Sequence, residues 1–204
     1  NTGSSLVAVG HSALGANTSG GSSVAVGDTA LGANTTGSFG TAIGVGALQS
    51  NTTASYNTAL GFRAAYLTTT GEGNLALGAY ALNTNTTGSG NTAVGNWHAG
   101  SISAALYANT TGISNIAVGS GALSSTTTGS FNTAIGYAAL GVNTVGQNQT
   151  AVGYRALYNA NNTSNNGGTA VGFQALYNST GPNNVAVGQS AGQAVTTGDN
   201  GTFI

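Results

Sequence analysis

Few side chains in this sequence could take part in acid–base, nucleophilic or metal chemistry. They are Asp28, Arg63, Glu72, Arg155, Asp199, His11 and His98. Catalysis requires several titratable groups in one place, and these seven are spread over 204 residues. There is no cysteine to supply a thiolate, and no Gly-rich stretch continues into the Lys-Ser/Thr of a phosphate loop. We therefore expect no enzymatic activity, no metal site and no cofactor.

The composition also narrows the classes of partner. Charged residues make up 2% of the chain and the formal net charge is −1, whereas soluble domains carry roughly 25% charged residues. Without a basic cluster, nucleic acid is not expected as a partner. No run approaches the roughly 18 apolar residues of a membrane helix, so membrane insertion is not expected either. So little charge gives little colloidal repulsion, which favours residence in a larger assembly.

One short motif, of the form Asn91-Thr92-Ala93-Val94-Gly95, recurs along the whole sequence. We call its last residue the anchor glycine. The anchor glycines are Gly10, Gly27, Gly44, Gly61, Gly78, Gly95, Gly119, Gly136, Gly153, Gly172 and Gly188. Most are 17 residues apart, and a constant period of this kind indicates a repeat architecture. We interpret residues 1–204 as one array of eleven full rungs and a partial one. The array starts and stops within a repeat, so we expect it to be a segment of a longer chain.

The residues before each anchor glycine predict a short strand. The preceding residue is always Val, Ile or Leu, the one before it is always Ala, and the next is usually β-branched. Side chains alternate along a strand, so the bulky residues share one face and Ala shares the other with Gly. We expect the bulky face to fill the coil interior and the small face to pack against another copy of the chain. In a flattened coil, the small face would instead meet the opposite wall.

An Ala-Leu pair follows most anchor glycines and predicts a second short strand, and a polar corner such as Asn34-Thr35-Thr36-Gly37 comes next. Asn and Gly tolerate the left-handed backbone of a sharp corner. Gly, Asn and Thr are poor helix formers, so helix is not expected. The predicted fold is an all-β parallel β-solenoid in which identical residues stack. The expected corner ladder comprises Asn17, Asn34, Asn51, Thr68, Asn85, Asn109, Thr126 and Asn143.

These motifs resemble the repeats of known surface fibres. The segment Ser23–Gly27 is similar to the Val-Ala-Ile-Gly strand motif of trimeric autotransporter adhesin heads. Asn132–Leu140 matches the Asn-Thr-Ala-Ile-Gly-Tyr-x-Ala-Leu pattern of phage tail fibre arrays. The resemblance covers essentially the whole chain and implies a left-handed β-roll, assembled as a parallel homotrimer that projects from a cell or virion. The rungs here are longer than the usual coils of autotransporter heads.

The step of 24 residues between Gly95 and Gly119 interrupts the period. We interpret residues 96–102 as an insertion loop. Loops inserted in repeats often lie on the binding face, and the loop contains Trp97, the only tryptophan, and His98. We predict that these two residues contact a cell-surface glycan or protein receptor. The alternative is that Trp97 packs over the coil or against a neighbouring subunit.

Other aromatic residues recur at fixed rung positions, where we expect caps of the core or subunit contacts in preference to glycan platforms. Those after an anchor glycine or a leucine are Phe62, Tyr137, Tyr154, Phe173, Tyr158 and Tyr177.

Ten Asn-x-Ser/Thr sequons are present, which a secretory pathway could glycosylate. Those at the corners are Asn17, Asn34, Asn51, Asn85 and Asn109, and the rest are Asn148, Asn161, Asn162, Asn178 and Asn200. We treat the five corner asparagines as candidate glycan acceptors. The alternative is that the sequons arise only because the corner requires Asn and Thr.

The function expected from these features is structural. The leading hypothesis is a shaft or head segment of an extracellular fibre, on a cell or virion surface, that serves as a spacer and offers a receptor-binding surface. One alternative is the subunit of a self-polymerising extracellular filament, because uncapped sheet edges promote pairing. Another is an ice-binding solenoid, although Thr is absent three residues before the anchor in five of eleven rungs.

Overall fold

The computed structural model describes residues 2–97, 103–160 and 167–204. Each turn of the chain contributes one short strand, and the described residues contain no helix. The strands are β1 (Val7–Val9), β2 (Val24–Val26), β3 (Thr41–Ile43), β4 (Thr58–Leu60), β5 (Leu75–Leu77), β6 (Thr92–Val94), β7 (Ile116–Val118), β8 (Thr133–Ile135), β9 (Thr150–Val152), β10 (Thr169–Val171), β11 (Val185–Val187) and β12 (Thr202–Phe203).

The twelve strands form a single parallel sheet in chain order, from β1 to β12. Equivalent residues of neighbouring rungs are paired: Ala25 with Ala42, and Ala42 with Ala59. The register is maintained across the long step, where Ala93 pairs with Ala117. The structure confirms an all-β parallel β-solenoid of about eleven turns.

The two faces of the strands are the reverse of the expectation. The strand alanines from Ala25 to Ala186 are fully buried, whereas Val9 is 57% and Leu60 49% exposed. The alanines share one core with the leucines of the Ala-Leu pairs, which are also fully buried in most rungs. Because a leucine occupies the narrow interior in most rungs, there is room for only a methyl group on the strand. The bulky residues therefore point outwards.

The segment that follows each anchor glycine is a series of turns, so the predicted second strand is wrong. Residues two and four after the anchor have positive φ, such as Thr29 (55°) and Leu31 (49°), which strand backbone does not adopt. The segment nevertheless pairs between rungs: Thr29 N–H donates to His11 O at 2.8 Å, and Leu31 N–H donates to Ala47 O at 3.0 Å. The left-handed backbone was expected at the corner asparagines, but positive φ occurs at the leucines instead.

The anchor glycines stack on one another with no space for a side chain. A Cβ atom on Gly27, where φ is +136°, would lie 2.5 Å from the carbonyl oxygen of Gly44. The same contact recurs in the next rungs, because successive anchors are one rung apart. Both the backbone conformation and the close approach therefore require glycine.

Two ladders of buried polar side chains run through the interior. In the corner ladder, Asn34 Nδ2 donates to Asn17 Oδ1 at 2.8 Å and Asn51 Nδ2 donates to Asn34 Oδ1 at 2.9 Å, which confirms the predicted stacking. The second ladder was not predicted. Its main members lie four residues before the anchor and are Asn57, Asn74, Asn91, Asn115, Asn132 and Gln149.

Candidate functional site

The described residues place an arginine among aromatic side chains on the turn segments beside the long step. A cleft of about 300 Å³, which we call the Trp97 cleft, is lined by Arg63, Tyr80, Trp97 and Tyr107. Arg63, Tyr80 and Trp97 occupy the second position after their anchor glycines, and Tyr107 follows the buried Leu106. The rung repeat therefore brings residues from three successive turns to one surface.

The rings of the Trp97 cleft meet edge to face. Phe62 and Tyr80 have centroids 5.2 Å apart at an interplanar angle of 79°, and Tyr80 and Trp97 are 5.7 Å apart at 69°. Tyr107 is tilted by 57° from Tyr80. The aromatic residue shifts from the first position after the anchor (Phe62) to the second (Tyr80), with Ala79 at the first. The rings therefore cannot stack in register.

The guanidinium of Arg63 lies over two aromatic rings. Its carbon is 5.3 Å from the ring centroid of Phe62 and 5.1 Å from that of Tyr66. Gly46 in the preceding rung makes room for this arrangement, since a Cβ atom there would lie 3.3 Å from Tyr66 and from Arg63. The cation–π contacts hold the guanidinium against the two rings.

A second arginine has the same surroundings. The guanidinium carbon of Arg155 is 5.4 Å from the Tyr154 centroid and 5.2 Å from that of Tyr158. Here the neighbouring rings are stacked: the interplanar angle is 8° for Tyr154 with Phe173 and 13° for Tyr158 with Tyr177. In a stacked ladder each ring covers the face of the next, so this cluster presents mostly ring edges.

The long step begins within the regular coil. Ala79 N–H donates to Asn96 Oδ1 at 2.8 Å and Trp97 N–H donates to Ala79 O at 3.0 Å, so both residues pair with the preceding rung. Ser103 O accepts from Gly121 N–H at 2.9 Å in the following rung. Asn96 and Trp97, predicted as part of the loop, thus belong to the paired coil. The predicted His98 lies outside the described residues.

The corner sequons do not present free amides. Asn34 Nδ2 donates to Gly37 O at 3.0 Å as well as to Asn17, and Asn109 Nδ2 donates to Gly112 O at 3.1 Å and to Asn85 Oδ1 at 2.8 Å. All five side chains, Asn17, Asn34, Asn51, Asn85 and Asn109, are buried. A glycan on any of them is incompatible with the closed coil, because the nitrogen it needs bonds inside the ladder. Asn161 and Asn162 lie outside the described residues.

The remaining charged groups are scattered over the described residues. His11 Nδ1 lies 3.1 Å from Asp28 Oδ1 at an exposed position. Within residues 2–97, 103–160 and 167–204, there is no group of three or more His, Asp or Glu that could hold a metal ion. The same ranges contain no helix long and apolar enough to cross a membrane.

The two clusters in which an arginine contacts aromatic rings were not predicted from the sequence, although the sequence contains a signal for them. Phe62-Arg63-Ala64-Ala65-Tyr66 and Tyr154-Arg155-Ala156-Leu157-Tyr158 share the pattern aromatic-Arg-Ala-x-Tyr. The pattern contains the only two basic residues of lysine or arginine type in the chain. In each rung that has this pattern, the arginine lies between the two aromatic positions.

Comparison with known proteins identified no relative of this chain: no protein-family model, curated protein or solved structure matches it.

Proposed function

We propose that this chain is a structural segment of an extracellular fibre, at the surface of a cell or virion, and that it assembles as a parallel homotrimer of left-handed coils. The single observation that carries the proposal is the outward apolar face of the sheet. Val9, Leu60 and Val187 are each about half exposed, and Ile43, Ile116 and Ile135 lie between them on other strands. This face, which we call the strand face, comprises the outward side chains of β1 to β12.

The size of the strand face supports burial against copies of the same chain. Twelve strands spaced about 4.8 Å apart make it roughly 50 Å long. With two outward side chains per strand, its area is on the order of 500 Å², at the upper end of what monomers expose. No strand carries a charged residue, so parallel copies meet without repulsion. The proposed contact is thus the bulky face, and not the Ala/Gly face expected from the sequence.

A spacer role agrees with the regularity of the coil. Each rung pairs with the next through the same bonds, as in the donation from Thr35 Oγ1 to Thr52 O at 3.0 Å and from Thr52 Oγ1 to Thr69 O at 3.1 Å. Stability is then a sum over neighbouring rungs, which allows length to vary without a new core. The proposal assigns no enzymatic activity and no cofactor to the segment.

Sedimentation velocity over a range of dilutions tests the assembly. The wild-type chain is expected to sediment as a trimer, and the double variant Leu60→Asp/Ile135→Asp as a monomer, since it places two carboxylates on each strand face. The control Thr53→Asp/Thr128→Asp adds the same charge at exposed corners and should remain trimeric. A monomeric wild type, or a trimeric strand-face variant, would overturn the proposed contact. An open series of larger species would identify the filament alternative.

An ice-binding role is a second candidate that the outward face favours in one respect. Seven strand threonines point outwards, in β3, β4, β6, β8, β9, β10 and β12. The remaining strands place Val, Leu or Ile there, so the row is interrupted. Thermal hysteresis measured on the monomeric strand-face variant and on wild type decides this candidate, and its absence from both rejects it.

A further inference from the structure

We propose that the Trp97 cleft binds an acidic saccharide: the indole of Trp97 packs on a sugar ring and the guanidinium of Arg63 pairs with the carboxylate of the sugar. The proposal deepens the fibre function, on which it rests for the source of the ligand. The contacts that carry it nevertheless lie within one chain, on the turn segments and not on the strand face. Assembly and ligand binding can therefore be tested separately.

The exposure of the Trp97 ring is the feature that suits a sugar. At several aromatic positions of the coil, the rung spacing stacks equivalent rings, as for Phe39 with Tyr56 (5°) and Tyr137 with Tyr154 (7°). In the Trp97 cleft the neighbour of Trp97 meets it at 69° and covers one ring face at most. Trp97 is 49% exposed. An open indole face beside a polar coil surface suits the apolar C–H face of a pyranose ring.

Arg63 supplies the cation of the Trp97 cleft. Among the described residues, its guanidinium makes no hydrogen bond and no ion pair, and its contacts are the two ring faces of Phe62 and Tyr66. A guanidinium that contacts only aromatic rings keeps its N–H donors for a planar anion such as a carboxylate. In a chain with two basic side chains of this kind, its position in the wall of a cleft gives the site a preference for anionic ligands.

The size of the Trp97 cleft disfavours larger partners. The cleft volume of about 300 Å³ lies at the lower end of small-ligand pockets, and it fits one or two sugar units better than a protein surface. Nucleic acid binding depends on many phosphate contacts from Lys and Arg, which two arginines on distant rungs cannot supply. The ligand class that matches both an open indole and a single guanidinium is a saccharide with a carboxylate.

Trp97 is the only tryptophan, so fluorescence excited at a wavelength that tyrosine does not absorb reports on this cleft. We would titrate the protein with sialyllactose against the methyl ester of its carboxylate, and with tetragalacturonate against its methyl ester. Each pair changes mainly the carboxylate, and the two pairs distinguish sialic from uronic acids. We expect a saturable change in Trp97 fluorescence with at least one acid, and at least about tenfold weaker binding of its neutral partner, as expected when one desolvated ion pair is lost.

Arg63→Gln is expected to reduce the affinity for the acid to that for the neutral sugar, whereas Arg155→Gln, which removes the same group from the stacked cluster, should leave it unchanged. Equal melting temperatures of the two variants would show that the coil is intact. The proposal is overturned if neither acid gives a saturable signal, if acid and neutral sugars bind equally, or if the two variants behave alike. Repeating the titration on Leu60→Asp/Ile135→Asp separates this outcome from assembly: binding that persists in the monomer supports the cleft whether or not the trimer exists.

Discussion

Gly119 lies so close to Gly136 that a Cβ atom added to Gly119 would come within 2.7 Å of the carbonyl oxygen of Gly136. Gly119 also has φ of +123°, which side-chain-bearing residues rarely adopt. The contact is one step of the anchor-glycine stack and lies at the end of β7. Because each anchor approaches the next in the same way, a substitution at one rung displaces two.

Replacing Gly119 by Ala should therefore cost about 3 kcal/mol or more, from the backbone strain and the overlap together. The matched control is Gly73→Ala, where φ is +65° but a Cβ atom would meet nothing within 4 Å. That variant should lose only about 1 kcal/mol. Thermal melts followed by circular dichroism compare the two, and equal losses would show that the close stacking of anchors is not what requires glycine.

The corner ladder should depend on polar bonding and not on shape. Asn34 is buried and donates to Asn17 Oδ1 and Gly37 O, while its Oδ1 accepts from Asn51 Nδ2. Thr68 and Thr126 already occupy the equivalent position in other rungs.

We expect Asn34→Thr to be tolerated, and Asn34→Val to be about 2 kcal/mol less stable than Asn34→Thr, because the two have the same shape but valine leaves buried ladder atoms unpaired. Denaturant melts of the two variants measure this difference directly. Equal stability of the isosteric pair would contradict a hydrogen-bonded ladder.

Adjacent residues of β8 test which strand face is interior. Ala134 is fully buried and Ile135 is 41% exposed. Ala134→Leu should destabilise the coil by about 1–3 kcal/mol through overpacking, whereas Ile135→Ala should cost less than about 1 kcal/mol in the monomer.

Both variants of β8 are best measured at a dilution where the wild type is monomeric, by thermal unfolding. The opposite order of stability would restore the arrangement first expected from the sequence, with the bulky residues inside.

Assembly through the strand face should be insensitive to salt. The strands contain only Val, Ala, Thr, Ile, Leu and Phe, so no ion pair contributes to the contact and added salt has nothing to screen. Between low ionic strength and about 1 M NaCl, where the screening length falls to about 3 Å, the trimer should persist at the same protein concentration in sedimentation equilibrium. Dissociation at high salt would indicate a charged contact elsewhere on the chain.

Much of the fold could be predicted because every rung has nearly the same sequence and therefore adopts nearly the same structure. The 17-residue period, the strand before each anchor glycine and the in-register stacking of Asn34 on Asn17 all follow from equivalent residues taking equivalent places. The positive φ of Leu31 could not be predicted, since leucine rarely adopts that conformation and only the closure of a small coil requires it. The second ladder, which includes Asn91, was not predicted, although Asn recurs four residues before the anchor glycine from Asn57 to Asn132.

The candidate site was predicted in part. Trp97 was singled out by its place at the interrupted period, and it does line a cleft. That Arg63 lines the same cleft could be seen only in the fold, because the neighbouring Tyr80 and Tyr107 come from different turns. The angles between the aromatic rings also cannot be derived from their separation in the sequence. For the corner sequons, the motif alone suggested glycan acceptors. In the fold, the amide groups of these asparagines are buried and hydrogen-bonded within the ladder.

The sequence by itself determined the period, the position of each strand and the two-faced character of Asn91–Gly95, since these depend only on residue types and alternation. Which face is interior was decided by the tertiary structure alone. The alternation of residues along a strand does not show which face is buried. The buried face is determined by how much of the interior volume the other residues of the rung already fill. Here a buried leucine in most rungs leaves space for alanine only, and the valines, isoleucines and leucines of the strands lie on the outer surface.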